Sequence, residues 1–199
     1  MRLRPTIVVP AAGPGRRFGG TLHKLEQPFD GSTVLGCTLR HAIATQLSVV
    51  VVTTAALAPL AGELLARRDI VVLDEARAAS GMGASIAAGI SERSGASGWL
   101  VLPGDMPLVQ AATLLAVAGA LDQHAVAYAQ YRGRAGHPVA FGAELYSELI
   151  QLQGDDAPRR LMLRYPAHGV AVDDSGVLLG VDTASDLETM RKVAEQAAG

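Results

Sequence analysis

The chain has 199 residues, 49% hydrophobic and 18% charged, which supplies a core of its own and excludes a disordered polymer. A formal charge of −2, with no Lys/Arg run and no interleaved aromatic stripe, argues against a nucleic-acid binder and points to a small anionic ligand. The single Cys37 excludes an intrachain disulfide and a cysteine zinc cluster, and no apolar run reaches the ~20 residues of a membrane span.

Thr6–Val9 reads as a buried strand. The apolar run that begins there is broken by Pro10 and leads into Gly-Pro-Gly-Arg-Arg, so no signal peptide is expected and the expected compartment is the cytoplasm. A helix over Val34–Thr45, a strand over Ser48–Thr53 and a helix over Pro59–Arg67 follow, then a strand at Ile70–Leu73 and a helix over Ala84–Glu92. The alternation continues with a strand at Trp99–Leu102 and a helix over Gln110–Leu121. Val49–Val52 and Trp99–Leu102 are continuously apolar, as strands covered by helices on both faces are. The pattern predicts one domain over residues 1–199 with a three-layer α/β/α fold, a doubly wound, mainly parallel sheet of Rossmann-like kind. Beyond Val126–Tyr131 it loosens: a helix near Ala143–Gln151, a basic segment Arg159–Arg164, a hairpin joining Val170–Val172 to Leu178–Val181 around Asp173-Asp174-Ser175-Gly176, and a last helix entered through Asp182–Asp186.

Pro10–Gly19, ending at Lys24, is the most informative stretch. A glycine-rich turn leaving a strand brings backbone N–H groups close to phosphate oxygens, and Arg17 and Lys24 add full charges that balance a triphosphate. A nicotinamide dinucleotide site is a poorer reading, because Thr53-Thr54-Ala55-Ala56 offers no acidic partner for a ribose after the second strand. Asp105, in Pro103-Gly104-Asp105-Met106-Pro107 at the end of an apolar strand, is a candidate Mg²⁺ ligand, though the same residues also serve as an ordinary Asx turn. Gly81-Met82-Gly83-Ala84-Ser85 forms a small-residue loop against which a base or sugar can lie. His23, His41, His124 and His168 are scattered and suggest no metal site.

Five motifs in succession resemble the MobA-like nucleotidyltransferases, most closely their molybdenum cofactor cytidylyltransferase branch. They are Ala11-Ala12-Gly13 through Arg17-Phe18-Gly19 with Lys24; Gly81-Met82-Gly83-Ala84-Ser85-Ile86; Gly104-Asp105-Met106-Pro107; Gly136-His137-Pro138; and Asp182-Thr183-Ala184-Ser185-Asp186. Two departures stand out: the Arg17 to Lys24 spacing is about one residue longer than the usual family pattern, and Gly154-Asp155-Asp156-Ala157-Pro158-Arg159 replaces a G-D-x-G-A-R segment, with Pro158 expected to stiffen a loop near the second substrate.

The resemblance implies transfer of a nucleoside monophosphate from an NTP to a phosphorylated acceptor, with Mg²⁺ as cofactor and pyrophosphate released. It implies Ala11, Ala12, Gly13, Gly15, Arg17, Lys24, Gly81, Met82, Gly83 and Ser85 around the nucleotide, and Arg17, Lys24 and Asp105 in catalysis. Asp105 and Asp182 would hold the metal, and His137 and Arg159 the acceptor. Asp182 is read equally well as the residue ahead of a Thr183 helix cap, and Arg159 as part of a solvated face with Arg160 and Arg164. The Ala-Ala-Gly form of the first loop goes with cytosine in the family, so CTP and molybdopterin are the expected substrates, with a molybdoenzyme as recipient. A sugar-phosphate or alditol-phosphate acceptor, and a non-catalytic cofactor-delivery role, are the alternatives.

Overall fold

The computed structural model describes residues 4–19 and 21–198. Nine strands occur among them: β1 (Thr6–Pro10), β2 (Pro28–Phe29), β3 (Ser32–Thr33), β4 (Ser48–Thr54), β5 (Ile70–Leu73), β6 (Gly98–Val101), β7 (Val126–Tyr131), β8 (Arg134–Gly142) and β9 (Ala167–Ala171). The helices are α1 (Val34–Ala44), α2 (Ala58–Gly62), α3 (Glu75–Ala79), α4 (Met82–Glu92), α5 (Ala111–Ala120), α6 (Tyr146–Leu149), α7 (Ala157–Met162) and α8 (Ala184–Ala198). Seven strands form one sheet in the order β5-β4-β1-β6-β8-β7-β9, and β2 pairs with β3 in a separate hairpin. β1 lies parallel to β4 and β6, β4 parallel to β5 and β7 parallel to β9, whereas β8 runs antiparallel to both β6 and β7. The sheet is mixed and mostly parallel, with helices on both sides.

The valine-rich strands account for this layering. Side chains alternate across a strand, so a continuous apolar run serves two cores at once. Ile7, Val9, Val49, Val51, Leu100 and Leu102 pack with residues of α1, α5 and α8, including Leu39, Leu114, Val117, Leu187 and Met190. Val8, Val50, Val52, Trp99 and Val101 face the opposite way, against Ile86 and Ile90 of α4 and Leu149 and Leu161 of α6 and α7. Trp99 is fully buried and donates its indole N–H to the Arg93 carbonyl at 3.0 Å.

Several elements differ from the sequence reading. The helix expected over Pro59–Arg67 is confined to α2, with Pro59 in its first turn; Gly62 weakens further propagation, and a 3-10 turn at Arg67–Asp69 reverses the chain into β5. The expected hairpin does not form. Val170 lies in β9, which joins the sheet edge parallel to β7, and Ser175–Leu178 is a 3-10 turn. Asp174 explains the change, because its buried carboxylate accepts from Gly176 N–H (2.9 Å), Gln110 N–H (2.9 Å) and the Thr113 hydroxyl (2.7 Å), which draws the segment onto the start of α5. Pro158 does not stiffen a loop; it occupies the first turn of α7, where a missing N–H costs nothing. α4 begins at Met82, two residues before the expected start, so Met82, Gly83 and Ser85 are helical.

Gly89 marks the tightest helix-on-sheet contact, since a Cβ there would lie 2.5 Å from Val8 Cγ1 and 2.9 Å from Val52 Cγ2. Both valines belong to inner strands and cannot retreat. Gly89→Ala is expected to destabilise the protein by about 1–3 kcal/mol, overpacking outweighing the ~1 kcal/mol gain in helix propensity, as read by urea denaturation.

Candidate active site

The chain leaves β1 towards β4 and β5, then returns to the other side of β1 as β6. The loops after β1 and β6 therefore diverge at the carboxyl ends of adjacent parallel strands, where open α/β sheets bind ligands. Gly104 N–H donates to the Pro10 carbonyl at 3.0 Å, and a Cβ on Gly104 would lie 3.1 Å from Ala11 Cβ, so glycine is what lets the two loops touch. Thr38 of α1 reaches the Gly104 carbonyl at 3.0 Å. Ala11 and Ala12 are buried at the root of the first loop, while Gly13, Arg16 and Arg17 are exposed beyond it.

Four charged side chains from three distant segments meet here. Lys24 Nζ donates to Asp105 Oδ2 at 2.5 Å and to Asp182 Oδ1 at 3.0 Å, and an Arg17 guanidinium N–H donates to Asp182 Oδ1 at 3.0 Å. Lys24 and Asp105 are largely shielded, with 13% and 21% of their side chains exposed, whereas Arg17 is 76% exposed. Val181 N–H donates to the Asp105 carbonyl at 2.9 Å and thereby brings Asp182 alongside. Asp182 stands ahead of the helix cap: Asp186 Oδ2 accepts from the N–H groups of Asp182 (3.1 Å) and Thr183 (2.7 Å) at the start of α8, which leaves the Asp182 carboxylate free to face Lys24. The Thr183 hydroxyl and amide hold the Asp186 carboxyl below its ordinary range, so this cap persists at neutral pH and is lost only as acid carries the pH down through that lowered value.

A cavity of about 410 Å³ opens beside the first loop, lined by Ala12, Gly13, Arg16, His23, Leu57 and Glu75 among others. The Gly81–Ser85 segment has a different neighbour. A Cβ on Gly83 would lie 2.7 Å from the Gly154 carbonyl oxygen, Gly81 adopts φ +91°, and Met82 N–H donates to Asp155 Oδ1 at 2.9 Å. These glycines admit the 153–155 loop, and Ser85 is buried. His137 lies partly buried near Asp105 with its Nδ1 lacking a hydrogen-bond partner; burial lowers its pKa, against the pull of the Asp105 charge and the Val101 carbonyl. Arg159 is exposed on α7 and joins no ion pair among the described residues, whereas Arg164 pairs with Glu148 at 2.9 Å.

Three contributors escaped the sequence reading. His23 bonds the Gly13 carbonyl through Nε2 (3.0 Å) and accepts the Leu25 N–H at Nδ1 (3.2 Å). Its placement directly before Lys24, ahead of a Glu26 that returns to its backbone, was the available signal, a capping box with histidine as the cap. Thr38 and Asp174 act between segments far apart in the chain, and no local pattern announces them. His124 and His168 are not scattered but stack, ring centroids 4.0 Å apart. Among the described residues no three His, Cys, Asp or Glu side chains form an all-protein metal cage, and no helix is long and apolar enough to cross a membrane.

Residues 7–170 match the MobA-like NTP transferase domain, and the chain belongs to that family. It is a nucleotidyltransferase by fold and family. No curated protein matches the sequence. Among solved structures it is similar to Rv0371c from Mycobacterium tuberculosis H37Rv, at 29% identity over 95% of this chain and 98% of that one with a TM-score of 0.81. Another structure of that protein is a complex with manganese, at 27% identity, the same coverage and a TM-score of 0.78. A nucleotidyl transferase from Methanothermobacter thermautotroptrophicus is similar at 25% identity, covering 98% of this chain and 99% of that one, TM-score 0.81.

Asp174 anchors the segment that carries Asp182 to the helix that follows Asp105, so its removal leaves buried donors unmatched. Asp174→Ala is expected to cost about 2–4 kcal/mol of stability in chemical denaturation, because hydrogen bonds to a carboxylate are worth more than neutral ones.

Proposed function

We propose that the chain is a single-domain, divalent-metal-dependent cytidylyltransferase that moves CMP from CTP to a phosphorylated acceptor, with molybdopterin the favoured acceptor. The observation that carries this reading is Lys24 held between Asp105 and Asp182 at the switch point of the sheet, with the glycine loop beside it. The Ala11-Ala12-Gly13 form of the loop favours cytosine by resemblance, and the cavity next to it, which sets Ala12, Leu57, Ala78 and Ala79 beside Arg16, Glu26 and Glu75, has room for a base.

The two carboxylates fit a divalent cation. They already gather around one positive charge, the Lys24 ammonium, and a pair of carboxylates completed by substrate phosphates and water suits Mg²⁺ better than a closed protein cage. The manganese complex of Rv0371c supports this reading. The metal bound by Asp105 and Asp182 would neutralise phosphate charge and draw electrons from the α-phosphorus. The acceptor phosphate is ionised near neutral pH, so its oxygen attacks the α-phosphorus without a side-chain base while the bond to the β-phosphate breaks and pyrophosphate leaves. Lys24 and Arg17 stabilise the charge gathering on that leaving group. His137, near Asp105, and the exposed Arg159 are the residues we assign to holding the acceptor. A molybdoenzyme would receive the product.

Pyrophosphate release with Mg²⁺, each of the four NTPs, and molybdopterin or a panel of sugar phosphates tests the reading. Release with CTP and molybdopterin is expected; release with a sugar phosphate instead transfers the protein to that acceptor class. Asp105→Asn is expected to lower turnover by about 10²-fold or more with its thermal unfolding little changed, and normal activity in that variant removes Asp105 from the mechanism.

Lys24 gives a separate check on the metal. Lys24→Met removes the ammonium that competes for both carboxylates, so Mn²⁺ titrated without nucleotide and followed by electron paramagnetic resonance is expected to bind several-fold tighter than in the unmodified protein, because no like charge then opposes the cation. Weaker Mn²⁺ binding in Lys24→Met would place the cation elsewhere.

A further inference from the structure

The imidazole of His23 packs into the loop it follows. Gly15 has φ +59°, and a Cβ on it would lie 2.8 Å from His23 Nε2, so the ring fills the inside of the turn and only glycine leaves room for it. Its two nitrogens have opposite tasks. Nδ1 accepts the Leu25 N–H, which requires an unprotonated nitrogen, and Nε2 meets the Gly13 carbonyl, which requires a proton. Only the neutral ring with its proton on Nε2 satisfies both partners.

We propose that His23 is a positioning residue, a latch that ties the glycine loop to the turn bearing Lys24 and holds both in their nucleotide-binding arrangement only while the ring is neutral. The inference deepens the reading of this loop as the nucleotide site and rests on it. Lys24 is the next residue and opens the 3-10 turn that His23 caps, so one side chain sets the loop backbone and the root of the lysine together. Protonation places a second N–H against the Leu25 N–H, donor facing donor, and the cap is lost. The charged groups around the ring are Glu26 of its own turn, Arg16 of the loop and Glu75 of α3, all lining the same cavity. None of them supplies the acceptor that Leu25 would lose. Nucleotide affinity therefore falls as acid protonates His23.

Imidazole ¹⁵N spectra of the unmodified protein, taken above the range in which histidine protonates, are expected to place the proton of His23 on Nε2; a proton on Nδ1 overturns the latch. Equilibrium titration with a ribose-labelled fluorescent CTP is expected to show about a tenfold loss of affinity in His23→Ala, the scale of a lost hydrogen bond that orders the site. His23→Asn, which keeps a cap acceptor but cannot titrate, is expected to recover part of that loss and to lack the extra loss on acidification that the unmodified protein shows. Equal affinity in His23→Ala, or an identical acid loss in His23→Asn, overturns the proposal. If the unmodified protein binds no labelled nucleotide, the reading of the site fails, and the imidazole spectrum still decides whether the latch exists. Should His23→Ala not fold, His23→Asn and the spectrum carry the test.

Discussion

The parallel pairing of β1 with β6 is the constraint on which the site depends. Thr6, Ile7 and Val8 stand opposite Trp99, Leu100 and Val101, and the ladder is extended by Leu102 N–H to Val8 and Gly104 N–H to Pro10. The two loops to which the chemistry is assigned therefore start at one level, with no side chain between them at Gly104. Any larger residue there would meet Ala11, Leu35 or the Pro10 carbonyl and separate the glycine loop from Asp105. The β-branched runs that read as strands thus fix the distance between two loops that have no sequence in common.

Charge then decides which contacts hold the site in shape. An exposed ion pair such as Arg17 with Asp182 contributes little, because water and salt screen it and a long side chain must be ordered to make it. Lys24 differs. Its ammonium is mostly shielded and would lie unpaired without carboxylates, while Asp105 and Asp182 would repel one another without it. Each group needs the others, and together with Arg17 they balance at two cations against two carboxylates. A cation entering this balanced cluster must displace Lys24 from the carboxylates or bring anionic phosphate with it.

The parallel half of the sheet was legible in the sequence because its strands are buried on both faces and lack any alternation, and the glycine loop and the Asp105 turn were legible because each follows such a strand directly. The errors have physical causes. Asp174-Ser175-Gly176 has the vocabulary of a hairpin turn, but its carboxylate is committed to Gln110 and Thr113, some sixty residues earlier, and local pattern cannot report such a partner. Apart from these errors, the Gly81–Gly83 segment reads as a ligand loop, and its glycines also make room for residues 153–155. Close backbone approach and ligand binding both ask for glycine, so the residue type alone does not separate them. His23 was overlooked because histidine rarely caps a turn, and its role is visible only once both ring nitrogens have partners.

The proposed acceptor side depends on the one strand of the large sheet that runs against the rest. β8 is inserted antiparallel beside β6, with Val139 opposite Val101, which brings His137 and Pro138 to the end of β6 where the Asp105 turn begins. A protonated imidazole there would be a further cation beside Asp105, in competition with Lys24 for the same carboxylate. Burial works against that by pushing His137 toward its neutral form, although Asp105 and the Val101 carbonyl pull the other way. A neutral ring leaves Asp105 to Lys24, or to the metal proposed in its place, and keeps a hydrogen-bonding edge beside that carboxylate. The low dielectric that shields the Lys24 cluster also keeps its neighbour uncharged, so burial on this side protects the charge balance that the parallel half of the sheet creates.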